Sequence, residues 1–415
     1  MARLLLLLCS NGLFYSLKKK GKNKMDFIEF LYENVVNNFS WQMLVMWAIG
    51  GILIFLAIKK DMEPTLLLPI GFGAILVNLP GVMQLVVDEA GKPILDAFGN
   101  EQYSAGPLTT LFEAGIANEL FPLILFIGIG AMIDFTPILT NPKLMIFGAA
   151  AQFGIFFTFC LASMFFTQNE AASIGIIGAA DGPTAIVVAN KLLGAENDIT
   201  GAIMVAAYSY MALVPIIQPP VIKLLTTKKE RRIKMDYAGK EVSKLTKILF
   251  PIVITVVAGL VAPSSVSLVG FLMFGNLIRE CGVLDSLSET AQKTLANLIT
   301  IFLGITIACQ MEADKFLHPN TLLILGLGLF AFIFDTAGGV LVAKFINLFS
   351  KKKINPMIGA AGISAFPMSG RVVHKMGLEE DSSNFLLMHS IGVNVSGQIA
   401  SVIAGGMILN FFYHV

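Results

Sequence analysis

Twelve apolar runs, most of them about 16 to 25 residues long and joined by short polar connections, divide this 415-residue chain. Each approaches the length an α-helix needs to cross roughly 30 Å of hydrocarbon. They cover 43–58, 65–81, 119–135, 143–166, 172–192, 199–220, 247–262, 264–281, 292–310, 321–348, 354–372 and 385–411. With 55% hydrophobic and only 14% charged residues, the composition excludes an ordinary soluble enzyme. The fold class expected is an all-α polytopic membrane protein. The four cysteines and four histidines show neither a disulfide framework nor a metal spacing, and no cofactor motif is present.

Charge sets the topology. The net charge of +1 hides two long connections of opposite character: 82–118 is acidic, whereas 223–246, KLLTTKKERRIKMDYAGKEVSKLT, carries eight Lys or Arg. The basic one should be cytoplasmic, together with Lys59, Lys60 and Lys351 to Lys353. Twelve full crossings would put the acidic and basic connections on one side of the membrane. Re-entrant hairpins at 172–192 and 354–372 remove that conflict and leave about ten crossings. Both segments contain Gly and Pro where a continuous helix would suffer. The lysines of 18–24 then fall outside, so the first span fits this topology least well. Residues 1–40 read as an N-terminal extension: the apolar part of 1–24 is short for a span, and a second start at Met25 would remove it. Trp41 and Trp47 suit an interfacial belt.

Two stretches recur. FIGIGAMID at 126–134 parallels FLGITIACQ at 302–310, and IGAAD at 177–181 parallels IGAAG at 358–362. Residues 41–222 and 247–415 would then be two repeats joined by the basic linker 223–246. An odd number of crossings in each inverts the second copy, as in secondary transporters whose ion sites lie where broken helices meet.

The residue hardest to place in hydrocarbon is Asp181, in GIIGAADGPTAI at 175–186, followed at once by Gly182 and Pro183. A charge beside two helix breakers costs several kcal/mol at membrane depth unless it lines a cavity, so it reads as an ion or proton site. Thr184 stands beside it. The second broken segment offers Asn355, Ser364, Ser369 and Arg371, and the final span Asn394, Ser396, Gln398 and Ser401. One carboxylate with neutral oxygens suits Na+ better than a transition metal. Na+ and a proton would compete for the same oxygens. Tyr208 and Tyr210 either extend a proton path or pack as aromatics. Asn355 and Asn394 read as ligands or as interhelical hydrogen bonds. Arg371 either meets an anionic substrate or snorkels. Lys191, Asp134, Glu379, Glu380 and Asp381 read as interfacial or solvated.

GIIGAADGPTAIVVANKL, AAYSYMALVPIIQPP, NPMIGAAGISAFPMSGRV and GVNVSGQIASVIAGG, four motifs in order, resemble the β subunit of the sodium-pumping biotin-dependent decarboxylases, which act on oxaloacetate, methylmalonyl-CoA, glutaconyl-CoA or malonate. The resemblance runs from about Trp41 to near the C-terminus. It implies that carboxybiotin, presented by a separate biotin carrier, loses CO2 at this subunit, with proton consumption and Na+ export. Site residues implied are Asp181, Asn355, Ser364 and Asn394 for Na+, Arg371 for carboxybiotin, and Asp181, Arg371, Tyr210 and Ser364 for the reaction. Tyr208 is close enough to leave the choice of tyrosine open, and Gly359 would allow close helix approach. Implied partners are a carboxyltransferase α subunit, the biotin carrier and a small single-span γ or δ subunit around a homo-oligomeric β core in a bacterial cytoplasmic membrane. A sodium:carboxylate symporter is the competing reading, since inverted repeats and Arg371 alone would suit it equally.

Overall fold

The computed structural model describes residues 39–60, 62–82, 84–86, 92, 103–195, 197–235 and 241–413; the expected extension 1–40 lies, but for its last two residues, outside them. A helical hairpin, α1 (Trp41–Lys60) and α2 (Pro64–Val77), opens the fold. The acidic connection carries a two-residue antiparallel pairing, β1 (Gln84–Leu85) on β2 (Tyr103–Ser104). Next, α3 (Pro107–Phe112) passes through a π-helical turn into α4 (Leu120–Met132). There follow α5 (Thr136–Thr140), α6 (Met145–Ala151), α7 (Phe153–Ala162), α8 (Gln168–Gly175), α9 (Gly182–Leu193), α10 (Asp198–Ala212), α11 (Val214–Leu225) and the short α12 (Lys228–Arg231). A second hairpin, α13 (Lys244–Val261) and α14 (Val266–Glu280), leads to α15 (Asp285–Thr290), another π-helical turn, and α16 (Ala296–Ile307). The chain ends with α17 (Ala313–Phe316), α18 (Pro319–Phe349), α19 (Met357–Ala360), α20 (Met368–Glu380) and α21 (Leu387–Phe412).

Six helical stretches are long and apolar enough to cross a bilayer, or eight if each of two bent pairs is one span. The other apolar runs fold into pieces too short to span alone: α2 has 14 residues and α14 has 15, and the segments holding α8–α9 and α19–α20 are interrupted. The bends correct the sequence reading. The run 199–220 is no straight crossing, because α10 and α11 meet at 69° around Leu213, where Pro215 opens the new helix. The acidic connection is partly helical, α3 and its π-turn meeting α4 at 62°. The second broken segment also runs on to Glu380 as α20.

Helices from the two halves of the chain exchange partners. α2 packs on α16 while α14 packs on α4; α6 packs on α21 while α10 and α11 pack on α18; α9 meets α21 while α20 meets α11. Small residues permit this in a setting where lipid offers no hydrophobic drive between helices. A Cβ on Gly130 would strike the carbonyl of Leu272, and one on Gly275 that of Ile127, so α4 and α14 touch backbone to backbone. Two buried asparagines fasten the exchanged pairs. Asn78, just after α2, donates to the Met311 carbonyl (2.7 Å) and accepts from the Ala313 amide (2.8 Å), beyond the end of α16. Asn276 of α14 donates to the Ile133 carbonyl (2.9 Å), just beyond α4. Trp47 belongs to this layer as well: its indole donates to the Asn78 carbonyl at 3.0 Å.

The start of the basic linker is docked rather than loose. Arg231 is buried and meets Glu380 of α20 at 2.6 Å, and its guanidinium also donates to the Thr226 carbonyl (2.6 Å). Lys344 of α18 pairs with Glu230 at 3.2 Å. Glu380 and Asp381, read from sequence as interfacial or solvated, anchor this stretch through Arg231 and Lys234. The Ser383 hydroxyl and amide, with Lys234, hold Asp381 down to about 2, so it stays ionised until strongly acidic pH.

Two outcomes are expected. Asn276→Ala leaves the carbonyl beyond α4 without its partner and should cost about 1–3 kcal/mol, seen in the thermal unfolding of the purified complex. Glu380→Ala strands the buried Arg231 cation and should cost about 3–5 kcal/mol, whereas an apolar pair, Arg231→Met with Glu380→Leu, should restore much of the loss.

Candidate functional site

The first broken segment forms because a helix cannot continue through Ala180-Asp181-Gly182-Pro183. After α8 the chain tightens into a 3-10 turn at Ile176–Ala179; Ala180 then takes a left-handed conformation (φ 51°) and Asp181 an extended one (φ −127°). Pro183 lies in the first turn of α9, where its missing N–H leaves no helical bond unmade. The break holds Asp181 at the N-cap of α9, buried at 3% exposure.

Three donors converge on one oxygen of that carboxylate. Oδ2 accepts from the Thr184 hydroxyl (2.7 Å), the Gln398 side-chain amide (3.0 Å) and the Ser401 hydroxyl (3.0 Å). None of the three is to Oδ1, and no salt bridge among the described residues involves Asp181. Gln398 and Ser401 belong to one face of α21 with Asn394, at i, i+4 and i+7. An ionised carboxylate here is hydrogen-bonded but lacks a counter-charge, and only a bound cation or a proton can supply one.

The second broken segment crosses the first at this point. The Ser364 amide donates to the Ala179 carbonyl (3.2 Å), and the Ser364 hydroxyl to the Gly397 carbonyl (2.9 Å). Asn394 donates to the Ile363 carbonyl (2.7 Å), while its Oδ1 is buried with no hydrogen-bond partner among the described residues. A Cβ on Gly397 would strike the Gly362 carbonyl, so only glycine lets α21 lie this close to the break. The free backbone groups of the two interruptions thus partly satisfy each other.

Of the residues expected from sequence, Asp181, Ser364 and Asn394 come together around the crossing. Asn355 is directed elsewhere: its amide donates to the carbonyls of Arg231 (2.8 Å) and Ile233 (2.9 Å), tying the second broken segment to the linker. Gly359 abuts Gly339 of α18, each where a Cβ of the other would stand. Arg371, in α20, is exposed and its side chain makes no ion pair or hydrogen bond among the described residues. The two tyrosines face different partners. Tyr208 lays its ring over Gly182, beside Asp181, with its hydroxyl buried and unbonded, whereas the Tyr210 hydroxyl donates to the Leu325 carbonyl of α18. Among the described residues no group of three or more His, Cys, Asp and Glu side chains could hold a metal ion.

Sequence reasoning missed three groups. Gln218 of α11 donates to the Ala360 carbonyl (2.7 Å) in the second broken segment, much as Gln398 of α21 reaches the first. Its signal is a lone amide in the apolar VPIIQPP. Asp335, fully buried in α18, is a single carboxylate inside a 31-residue apolar helix. The fastening asparagines, Asn78 and Asn276, sit near the ends of their spans, where polar residues attract no notice.

Residues 42–412 match the family described as the Na+-transporting oxaloacetate decarboxylase beta subunit. The methylmalonyl-CoA decarboxylase subunit beta of Propionigenium modestum is 50% identical over 379 residues, covering 89% of this chain and 94% of that protein. The oxaloacetate decarboxylase beta chain of Klebsiella pneumoniae is 45% identical over 412 residues, covering 88% and 94%. The methylmalonyl-CoA decarboxylase subunit beta of Veillonella parvula is 48% identical over 366 residues, covering 88% and 92%. With a carboxylate buried between interrupted helices and near end-to-end similarity to these proteins, the chain belongs to the family of membrane-embedded β subunits of Na+-transporting decarboxylases.

Proposed function

We propose that this chain releases CO2 from carboxybiotin presented by a separate carrier and couples that step to Na+ export, with Asp181 binding Na+ and a proton in turn. The observation that carries this reading is the Asp181 carboxylate, buried, hydrogen-bonded by Thr184, Gln398 and Ser401, and without a cationic side chain beside it among the described residues. The orphaned Oδ1 of Asn394 adds a neutral oxygen close to the crossing. Hydroxyls that donate to Asp181 keep lone pairs for a hard monovalent cation. Arg371, exposed and unpaired, is the group that would meet an incoming carboxylate.

The exchange of helices described above supports two inverted repeats, 41–222 and 247–415, and about ten crossings with the interrupted segments as hairpins. In that arrangement the linker 223–246 is cytoplasmic, on the side where a biotin carrier, a carboxyltransferase and a small γ or δ subunit would assemble with a β core, in a bacterial cytoplasmic membrane. Asn355 then acts through the linker and Ser364 through the crossing, where it holds α21 against the break. Moving one net charge against 100 mV costs about 2.3 kcal/mol, which an exergonic decarboxylation can supply. Tyr208, over Gly182, is better disposed than Tyr210 to pass a proton to Asp181.

Reconstituted vesicles of the complete complex test this reading. Decarboxylation should drive Na+ uptake that avidin abolishes, and Asp181→Asn should remove both that uptake and the protection Na+ gives against inactivation. Uptake of a free carboxylate with Na+, without biotin, would establish a symporter instead. Ser401→Ala removes one hydrogen bond to a charged oxygen, worth about 1.5–3 kcal/mol. It should therefore raise the half-saturating Na+ concentration roughly tenfold or more while the complex still assembles.

A further inference from the structure

A second buried carboxylate takes no part in the reading above. Asp335 stands in α18 at 0% exposure; the first-turn amides of Gly154 and Ile155 in α7 approach it, but neither of its oxygens has a hydrogen-bond partner of good geometry among the described residues. Two glycines wall it in. A methyl group on Gly178 would lie 2.8 Å from Oδ2, and one on Gly154 would collide with Oδ1 and with the Ala331 carbonyl. The Ile155 amide lies close by but already donates to the Gln152 carbonyl at 3.1 Å. Gly178 belongs to the 3-10 turn three residues before Asp181, so the segment that carries the proposed ion site packs directly against this carboxylate.

No counter-charge reaches Asp335 from the elements packed on α18. Cys160 of α7 and Lys223 of α11 are exposed, and Glu170 of α8 is held by Thr167. Lys315 of α17 pairs with Glu312 and Asp198, Lys344 of α18 itself with Glu230, and Tyr210 bonds Leu325 nearly three turns away. A Na+ ion needs several oxygens, and the lining here is glycine and aliphatic side chains with the Ala331 carbonyl as the nearby acceptor. A proton needs one acceptor only, and the Ala331 carbonyl one turn earlier borders the same face of Gly154 as Oδ1.

We propose that Asp335 is a second proton-binding site of this chain, carrying its own proton while the Gly178 wall is closed and exchanging it when that segment moves during turnover. On opening, the carboxylic acid releases H+ and becomes a carboxylate; before closing, it takes up one H+ again, so no other reactant is required. The motion rests on the role proposed for Asp181; the bound proton rests on the burial of Asp335 alone.

The test uses dicyclohexylcarbodiimide, which adds to protonated carboxyl groups, on the complete complex in vesicles at rest and during turnover, with adducts located by peptide mass spectrometry. An adduct on Asp335 during turnover, undiminished by Na+, is expected. Asp335→Asn should assemble, keep Na+ protection at Asp181, and slow coupled Na+ uptake roughly tenfold or more. No adduct on Asp335 in either condition, or an Asn variant with unchanged uptake, overturns the inference. Should the Asn variant fail to assemble, the wild-type adduct decides. An Asp335 adduct combined with no Na+ protection at Asp181 counts against the proposed function and leaves this inference standing.

Discussion

A carboxylate with no cation beside it, enclosed by apolar helices, is the constraint on which the rest of this structure depends. Such a group is tolerable only where donors surround it and a mobile positive charge can join it. Asp181 obtains its donors from one turn of its own helix and from one face of α21. To aim the side chain there the backbone must break, and a break in lipid exposes amides and carbonyls. The second interruption meets that need through the bond from the Ser364 amide to the Ala179 carbonyl.

The same logic explains the packing around the crossing. Helices that must bring backbone groups within hydrogen-bonding distance of one another cannot carry large side chains at the contact, and Gly362 and Gly397 provide the clearance. The exchanged pairs farther out, α2 on α16 and α14 on α4, repeat the theme, with an asparagine closing each end. What results is an outer set of closely packed helices around a polar seam held by a handful of hydrogen bonds, an arrangement suited to shifting between two states.

Apolar runs and breakers made the helical class, both interruptions and Asp181 readable in the sequence, because hydropathy and Gly-Pro pairs report directly on backbone cost in lipid. Bends were less readable. Leu213 turns the chain by 69° within a run that looks continuous, since composition is blind to direction. Polar residues were found where they cluster, as in Asn394, Gln398 and Ser401, and missed where they stand alone, as with Asp335 and Gln218. Asn355 shows what a motif leaves out: its hydrogen bonds go to linker carbonyls more than a hundred positions earlier, a partnership no local pattern encodes.

The donors to Asp181 are widely separated along the chain: Gln398 lies 217 residues after it and Ser401 220. During synthesis the carboxylate and its broken helix therefore reach the bilayer long before α21 exists. Until α21 leaves the ribosome, the nascent protein holds an acidic group without two of its donors, which lipid alone will not accommodate. Water, the insertion machinery or a chaperone must shelter it, and commitment to the mature arrangement awaits the synthesis of α21.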